Sequence, residues 1–276
     1  MRFLRYGPPG QERPGVMDGD GALRDLSGVV PDLAGDVLAD LPRVAPETLP
    51  RVEGTPRIGV PVGQVGKLIG IGLNYSDHAA EAGMEPPAMP IVFMKATSSL
   101  SGPNDPVYLP RGSEKSDWEV ELGVVIGKRA KYVSEARALD HVAGYCVVND
   151  ISERAFQTER VGQWTKGKSC DTFGPVGPWL VTPDEAGDAQ SLSLSLDLNG
   201  TRMQTGNSAA MIFSVAQIIA HLSEMMSLNP GDIIATGTPP GVGMGMSPPR
   251  FLREGDVMEL EVEGLGRQRQ EVRRDP

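Results

Sequence analysis

Two glutamates, Glu119 and Glu121, interrupt an otherwise apolar segment and are the side chains best suited to bind a cation. The segment runs from Trp118 to Ile126 and is rich in β-branched residues, which predicts a buried strand with residues two apart on one face. Neighbouring buried carboxylates repel each other and are costly to desolvate, so a cation or a bound proton must compensate. Mg²⁺ and Ca²⁺ prefer oxygen ligands and fit this need. The alternative is an edge strand whose glutamates are solvated.

A third carboxylate, Asp150, follows another predicted apolar strand, Val142–Val148. An acidic residue at the end of a strand is well placed to reach a site at the mouth of a barrel or roll. Three carboxylates and water molecules suffice to bind Mg²⁺. Considered alone, Asp150 fits equally well as an N-terminal residue of a following helix. The chain has only three histidines and two cysteines, which argues against a zinc or copper site and favours oxygen ligands.

A second polar group lies in the segment Asn74–Glu81, which we predict to form a short helix from Tyr75. On a helix, His78 and Glu81 share one face because they are three residues apart. A carboxylate beside an imidazole fixes its tautomer and raises its basicity, which is the arrangement of a base that activates water. A solvated histidine–glutamate pair on the protein surface is the alternative.

Two further segments carry side chains that can bind an anion. Arg154 and Gln157 fall on one face of a predicted helix, and Lys168 lies in a predicted glycine-containing loop, Lys166–Asp171. A lysine in such a loop acts as a point charge on an oxyanion, although both segments fit solvated surface equally well. The glycine-rich segment Ala235–Gly245 lacks the Gly-Lys-Ser/Thr ending of a P-loop and the G-x-G-x-x-G spacing of a dinucleotide fold. We interpret it as a loop that lines a pocket for a small acid.

The elements that must position these residues are mostly short strands, so the predicted fold class is α+β and β-rich. One amphipathic helix is predicted from about Ser208 to Met226, because its apolar residues follow helical spacing. Asp-Gly signals within Val16–Leu23 predict a hairpin in a small N-terminal β-containing domain, residues 1–62. A larger domain, residues 63–276, follows. Further strands are predicted at Lys67–Leu73, Ile91–Met94, Val176–Leu180, Leu192–Leu198, Asp232–Ala235 and Val257–Val262.

Composition restricts the partners of this 276-residue chain. Its formal net charge of −10 argues against a nucleic-acid partner, since phosphate contacts need concentrated lysine and arginine. No apolar run approaches the roughly 20 residues that span a bilayer, so no membrane partner is expected. The N-terminal residues lack the apolar stretch of a secretory signal, and we expect a cytoplasmic protein.

The polar features described above fall into six segments with a fixed order. The segments are Gly72–Glu81, Phe93–Lys95, Asp117–Ile126, Asn149–Arg154, Lys166–Pro175 and Gly237–Val242. Together they resemble the fumarylacetoacetate hydrolase (FAH) superfamily over residues 67–276. The resemblance implies an FAH-type mixed β-roll catalytic domain with a small N-terminal domain, and a homodimer.

The same resemblance implies an Mg²⁺ or Mn²⁺ ion held by Glu119, Glu121 and Asp150. It also implies that His78 and Glu81 form the water-activating dyad, on a helical lid that orders over bound substrate.

A small 2-oxo acid substrate is implied as well, surrounded by Arg154, Gln157, Lys168 and Thr238. The implied enzyme is a divalent-metal-dependent hydrolase that cleaves the C–C bond of an acylpyruvate-type 2,4-dioxo acid to pyruvate and a carboxylic acid. Water activated by the dyad attacks the distal carbonyl, and the metal and Lys168 stabilise the pyruvate enolate.

Within the superfamily, the segments Arg111–Asp117 and Gln163–Lys168 look most like enzymes that hydrolyse 2,4-diketo-3-deoxy sugar acids of the rhamnonate and fuconate type. Ureidoglycolate lyase and oxaloacetate decarboxylase are alternatives with the same metal and lid. An alternative of another class is a non-catalytic dicarboxylate- or metal-binding protein, which would not need the dyad of His78 and Glu81.

Overall fold

Short strands dominate the computed structural model, which describes residues 1–77 and 85–275. The predicted dyad residues His78 and Glu81 therefore lie outside the described residues. The α+β, β-rich class is confirmed. The strands are β1 (Arg2–Tyr6), β2 (Arg13–Met17), β3 (Leu23–Asp25), β4 (Leu68–Gly72), β5 (Ile91–Lys95), β6 (Leu100–Ser101), β7 (Val107–Leu109), β8 (Ser116–Asp117), β9 (Val120–Ile126), β10 (Val142–Asn149), β11 (Ser152–Glu153), β12 (Gly174–Val181), β13 (Ser193–Leu198), β14 (Thr201–Asn207), β15 (Ile233–Ala235), β16 (Val257–Val262) and β17 (Gly266–Arg274).

The helices of the described residues are short. None of them is long and apolar enough to cross a membrane. The α-helices are α1 (Glu135–Ala138), α2 (Thr165–Lys168), α3 (Pro183–Ala186) and α4 (Val215–Met225). A π-helical turn spans Ala155–Glu159, and 3-10 turns span Gly35–Ala39, Pro46–Thr48, Thr97–Ser99, Leu139–His141, Ser208–Ala210 and Gly243–Gly245.

A ten-stranded mixed sheet organises the described part of the chain. Its order is β3-β2-β1-β12-β10-β9-β15-β4-β5, with β6 beside β12. The glutamate-bearing strand β9 lies inside this sheet, antiparallel to β10 and β15. The edge-strand alternative for the glutamate pair is therefore excluded. The predicted N-terminal hairpin is present as β2–β3. It extends the same sheet, because β2 pairs with β1 and β1 pairs with β12. The domain boundary at residue 62 stays a prediction.

A second, five-stranded sheet packs against the first and has the order β14-β13-β16-β17-β7. Leu122 and Val124 of β9 belong to the same apolar cluster as Leu196 and Leu260 of this second sheet. Because side chains alternate along a strand, the odd-numbered residues of β9 face the other way. The alternation places Glu119 and Glu121 on the face of β9 opposite the second sheet.

Helix α4 and several strands differ from the prediction. Helix α4 begins at Val215 and not near Ser208, because Ser214 forms a capping box: its hydroxyl accepts from Gln217 N, and the Gln217 side chain accepts from Ser214 N. Strands β14 and β17 were not predicted, since their polar and charged residues hide the apolar alternation on which strand prediction depends.

Candidate metal centre and active-site pocket

Three carboxylates converge where β9 begins and β10 ends. Strand β10 runs antiparallel to β9 with Asn149 opposite Val120, which brings the next residue, Asp150, beside Glu119. The backbone N–H of Asp150 donates to the carbonyl of Glu119 at 2.9 Å. Ligand oxygens of Glu119, Glu121 and Asp150 all lie within 4.8 Å of one another. The trio that the resemblance implied as metal ligands is therefore assembled by the pairing of two strands.

All three carboxylates are withdrawn from solvent. The exposed fraction is 6% for Glu119, 1% for Glu121 and 0% for Asp150. A solvated glutamate face and a solvated helix N-terminus are thus both excluded. Buried carboxylates require compensating charge, which makes the surrounding cations decisive.

Two buried lysines contact this trio. Lys168 lies 2.6 Å from Glu119 Oε2 and 2.7 Å from Asp150 Oδ2. Lys95, at the end of β5, lies 2.6 Å from Asp150 Oδ1 and also donates to the carbonyl of Ile151 at 3.0 Å. Burial, together with the charge of Lys168, lowers the pKa of Lys95 despite its ion pair. Sequence reasoning gave no role to Lys95, although a lysine ending an apolar strand was the available signal.

Arg154 provides a third buried cation. Its guanidinium contacts Asp117 Oδ2 through Nε at 2.9 Å and through Nη2 at 2.8 Å, and Nη2 also lies 2.8 Å from Glu119 Oε1. Nη1 donates to Gln157 Oε1 at 3.2 Å across the π-helical turn. The two residues share a face as predicted. The turn is π-helical, a form that recurs at functional sites.

Glu121 has the least compensation of the three carboxylates. Its Oε2 accepts from Gly237 N at 2.8 Å, and within residues 1–77 and 85–275 no lysine or arginine nitrogen lies within 4 Å of it. Burial and the neighbouring Asp150 and Glu119 raise the pKa of Glu121 well above its usual value. Burial alone would raise the pKa of Glu119 too, but Lys168 and Arg154 outweigh it and lower that pKa to about 2.

The charge balance of the site fits a bound divalent cation. Among residues 1–77 and 85–275, four buried carboxylates at this site, including Asp117, face three buried cations, and the carboxylate without a lysine or arginine partner is Glu121. All candidate ligands are oxygen donors, the donor set that Mg²⁺ and Mn²⁺ prefer. The residues present therefore fit the metal that the resemblance implies.

A cavity of about 460 Å³ opens onto these carboxylates. Thr238 contributes to its wall, since its hydroxyl donates to Val120 O at 2.9 Å and accepts from Gln204 Nε2 at 2.7 Å. The predicted pocket-lining loop after β15 is thus present. The described residues that line the cavity include seven of the nine predicted site residues: Glu119, Glu121, Asp150, Arg154, Gln157, Lys168 and Thr238. Lys168 lies at the end of helix α2, where a loop was predicted.

One wall of the cavity is apolar and rests on strand β4. The rings of Phe93 and Trp164 lie 5.6 Å apart at an angle of 57°. Both rings lie against glycines: a Cβ on Gly70 would come within 2.2 Å of Phe93, and a Cβ on Gly72 within 2.4 Å of Trp164. Leu73, Val242 and Met244 extend this apolar wall. Glu119, Glu121, Asp150, Arg154 and Lys168 form the charged end of the cavity, and the apolar wall adjoins it, since Lys168 Nζ lies 4.9 Å from the centre of the Phe93 ring.

Known proteins are similar to this chain over most of its length. A family model described as "Fumarylacetoacetate (FAA) hydrolase C-terminal" matches residues 67–273. A protein of Burkholderia multivorans, whose name assigns a hydrolase activity only provisionally and gives no substrate, is 63% identical over 279 residues, 99% of each chain.

Solved structures that cover the whole chain include the following three. A fumarylacetoacetate hydrolase from Exiguobacterium antarcticum is 34% identical, with a TM-score of 0.90 and all of its chain covered. A maleylpyruvate hydrolase from Sphingobium sp. SYK-6, in complex with manganese(II) and pyruvate, is 29% identical, with a TM-score of 0.82 and all of its chain covered. A 2-hydroxyhepta-2,4-diene-1,7-dioate isomerase from Mycobacterium marinum is 32% identical, with a TM-score of 0.76 and 99% of its chain covered.

Proposed function

We propose that this chain, which belongs to the fumarylacetoacetate hydrolase family, is a divalent-metal-dependent hydrolase that cleaves the C–C bond of an acylpyruvate-type 2,4-dioxo acid. The products are pyruvate and a carboxylic acid. The observation that carries the proposal is the convergence of Glu119, Glu121 and Asp150 beside Lys168 and Arg154 at the charged end of one cavity.

The metal site follows from the donor set. Mg²⁺ or Mn²⁺ held by Glu119, Glu121 and Asp150 would act as a Lewis acid on the 2-oxo acid. Lys168 and Lys95 bind the oxygens of Asp150, and Gly237 N binds Glu121, so the carboxylates are oriented before substrate enters. Such pre-organisation limits the reorganisation needed when negative charge develops during the reaction.

We propose that residues at the charged end of the cavity bind the substrate and stabilise the charge that develops on it. We assign binding of the 2-oxo acid's carboxylate to Arg154, Gln157 and Thr238, which line the cavity, and stabilisation of the developing oxyanion to Lys168. We assign the general base to His78 with Glu81: it removes a proton from water, whose oxygen adds to the distal carbonyl carbon. The C–C bond on the pyruvate side then breaks, and its electron pair forms the pyruvate enolate. Protonation of the enolate carbon gives pyruvate.

Two of the similar proteins define the main candidates. The similar maleylpyruvate hydrolase was solved in complex with manganese(II) and pyruvate, which supports a metal-dependent hydrolysis with pyruvate as one product. The isomerase is equally similar in sequence, so isomerisation of an unsaturated 2-hydroxy dioate is a second candidate. Among the described lining residues, the cations Arg154 and Lys168 already bind carboxylates at the charged end. A second substrate carboxylate against the apolar wall would lack a counter-ion among these residues, which favours a substrate with an uncharged acyl group over a dicarboxylate such as maleylpyruvate or the dioate.

A panel assay tests the proposal. Pyruvate release is measured from acylpyruvates, 2,4-diketo-3-deoxy sugar acids and oxaloacetate, and glyoxylate release from ureidoglycolate, each with and without Mg²⁺. Isomerisation of the dioate is followed by ultraviolet absorbance. We expect metal-dependent pyruvate release from an acylpyruvate-type acid. No pyruvate from any 2,4-dioxo acid would refute the proposed function. The sugar-acid, ureidoglycolate and oxaloacetate activities stay predictions that the same panel tests.

A further inference from the structure

A chain of three buried side-chain amides joins the second sheet to the metal-ligand strand. Gln268, Gln270 and Asn149 are all 0% exposed. Gln270 Nε2 donates to Gln268 Oε1 at 2.9 Å, and Asn149 Nδ2 donates to Gln270 Oε1 at 3.1 Å. Asn149 Oδ1 accepts from the backbone N–H of Glu119 at 3.3 Å. The chain therefore ends on a residue whose carboxylate belongs to the proposed metal site.

The direction of this chain is fixed at its far end. Gln268 Nε2 donates to two backbone carbonyls, Val147 O at 2.8 Å and Gly177 O at 3.0 Å. Carbonyl oxygens only accept, so the Gln268 amide group must turn its oxygen towards Gln270. Gln270 Nε2 is also held by a carbonyl, Pro103 O at 2.5 Å. Each amide thus orients the next, and Asn149 is left with its oxygen facing Glu119 N.

A second amide binds the adjacent residue from the other side. Gln204, on β14 and 0% exposed, accepts the backbone N–H of Val120 at 2.9 Å through Oε1. Its Nε2 donates to Thr238 Oγ1 at 2.7 Å and to Pro239 O at 2.8 Å. Backbone N–H groups of two consecutive residues, Glu119 and Val120, are therefore held by amides that Asn149 and Gln204 present.

We propose that Gln270 and Gln204 are positioning residues that fix the backbone at Glu119 and Val120, and so hold the glutamate carboxylates in the geometry that binds the metal. The inference rests on the metal site of the proposed function. Neither glutamine is among the residues that line the cavity, so both act through Asn149, Val120 and Thr238. Removal of groups that orient metal ligands from outside the coordination sphere typically changes metal affinity or activity by about 10- to 100-fold, and here the orientation acts through the backbone of Glu119 and Val120.

The test measures Mn²⁺ affinity on the whole folded chain by calorimetry, together with the electron paramagnetic resonance spectrum of bound Mn²⁺. Gln270→Leu keeps the size of the side chain but breaks the amide chain, and Gln204→Leu removes the second contact. Gln190→Leu is the matched control, because Gln190 also bonds two backbone groups, Ser208 O and Val215 N, but touches neither Glu119 nor Val120.

We expect Gln270→Leu and Gln204→Leu each to weaken Mn²⁺ binding by about 10- to 100-fold and to change the spectrum, with Gln190→Leu within about twofold of the parent chain. Parent-like affinity in a folded Gln270→Leu chain overturns the proposal, and so does an equal loss in the control. If Gln270→Leu does not fold, Gln204→Leu and Gln268→Leu decide by the same criterion. Absence of Mn²⁺ binding by the parent chain overturns this inference and the proposed metal site together, whereas parent binding with unaffected variants overturns this inference alone.

Discussion

Replacement of Glu121 by glutamine should have opposite effects on the metal-free and the metal-bound protein. In the parent chain, Gly237 N donates to Glu121 Oε2 at 2.8 Å, and the side-chain oxygen of glutamine can accept the same hydrogen bond. The substitution removes the buried charge that no described lysine or arginine compensates. An unpaired buried charge is strongly destabilising. We therefore expect metal-free Glu121→Gln to unfold at a higher temperature than the metal-free parent chain.

The pH dependence of this difference follows from the pKa of Glu121. Burial and the nearby Asp150 and Glu119 raise it well above the usual 4.5 in the folded chain. The folded state therefore binds this proton more tightly than the unfolded state. The stability that the neutral carboxyl contributes is present below pH 4.5 and is lost as pH rises through the raised value. The advantage of Glu121→Gln should thus be small at acid pH and should grow towards neutral and alkaline pH.

Metal should reverse the order of the two proteins. A ligand whose free concentration is 100 times its dissociation constant stabilises the folded state by about 2.7 kcal/mol. In chains of about 150–250 residues, each kcal/mol of added stability raises the melting temperature by about 2–4 °C. Mn²⁺ should therefore raise the melting temperature of the parent by roughly 5–10 °C, and should leave Glu121→Gln almost unchanged. Differential scanning calorimetry at several pH values, with and without Mn²⁺, measures both effects. A lower melting temperature of metal-free Glu121→Gln near neutral pH, or an undiminished response to Mn²⁺, would refute the reasoning.

Three further substitutions test other parts of the site. His78→Ala should keep oxalate binding, measured by calorimetry with Mn²⁺ present, yet lose pyruvate release; normal turnover would show that the base is assigned wrongly. Lys95→Met leaves Asp150 Oδ1 without its ammonium partner, and chemical denaturation should show a loss of about 3–5 kcal/mol; unchanged stability would contradict the buried pair. Gly72→Ala would place a Cβ 2.4 Å from the Trp164 ring, so KM for an acylpyruvate should rise while Mn²⁺ affinity stays within about twofold; an unchanged KM would remove the apolar wall from substrate binding.

The sequence predicted the three buried carboxylates of the candidate metal site because their signals are local. Glu119 and Glu121 lie two residues apart in one apolar segment, and Asp150 follows the end of a second apolar segment. Both patterns indicate carboxylates that the neighbouring apolar residues carry into the protein interior. The short strands and the hairpin at Val16–Leu23 were also predictable, since each has apolar or turn residues at the required spacing.

What the sequence did not reveal depends on distant partners. Gln268 and Gln270 alternate with Arg267 and Arg269 on β17, a pattern that resembles an exposed strand until the carbonyls of Val147 and Gly177 are seen beside Gln268. The start of α4 depended on a capping box at Ser214, six residues beyond the first predicted residue, Ser208. The role of Lys95 required knowing that its strand ends next to Asp150.

The most direct test of the central claim is an anomalous-scattering map from a crystal of this protein soaked in MnCl₂. We predict one strong peak per chain, with carboxylate oxygens of Glu119, Glu121 and Asp150 at about 2.0–2.3 Å from it. A map with no peak among these three residues, or with manganese bound only elsewhere, would contradict the account.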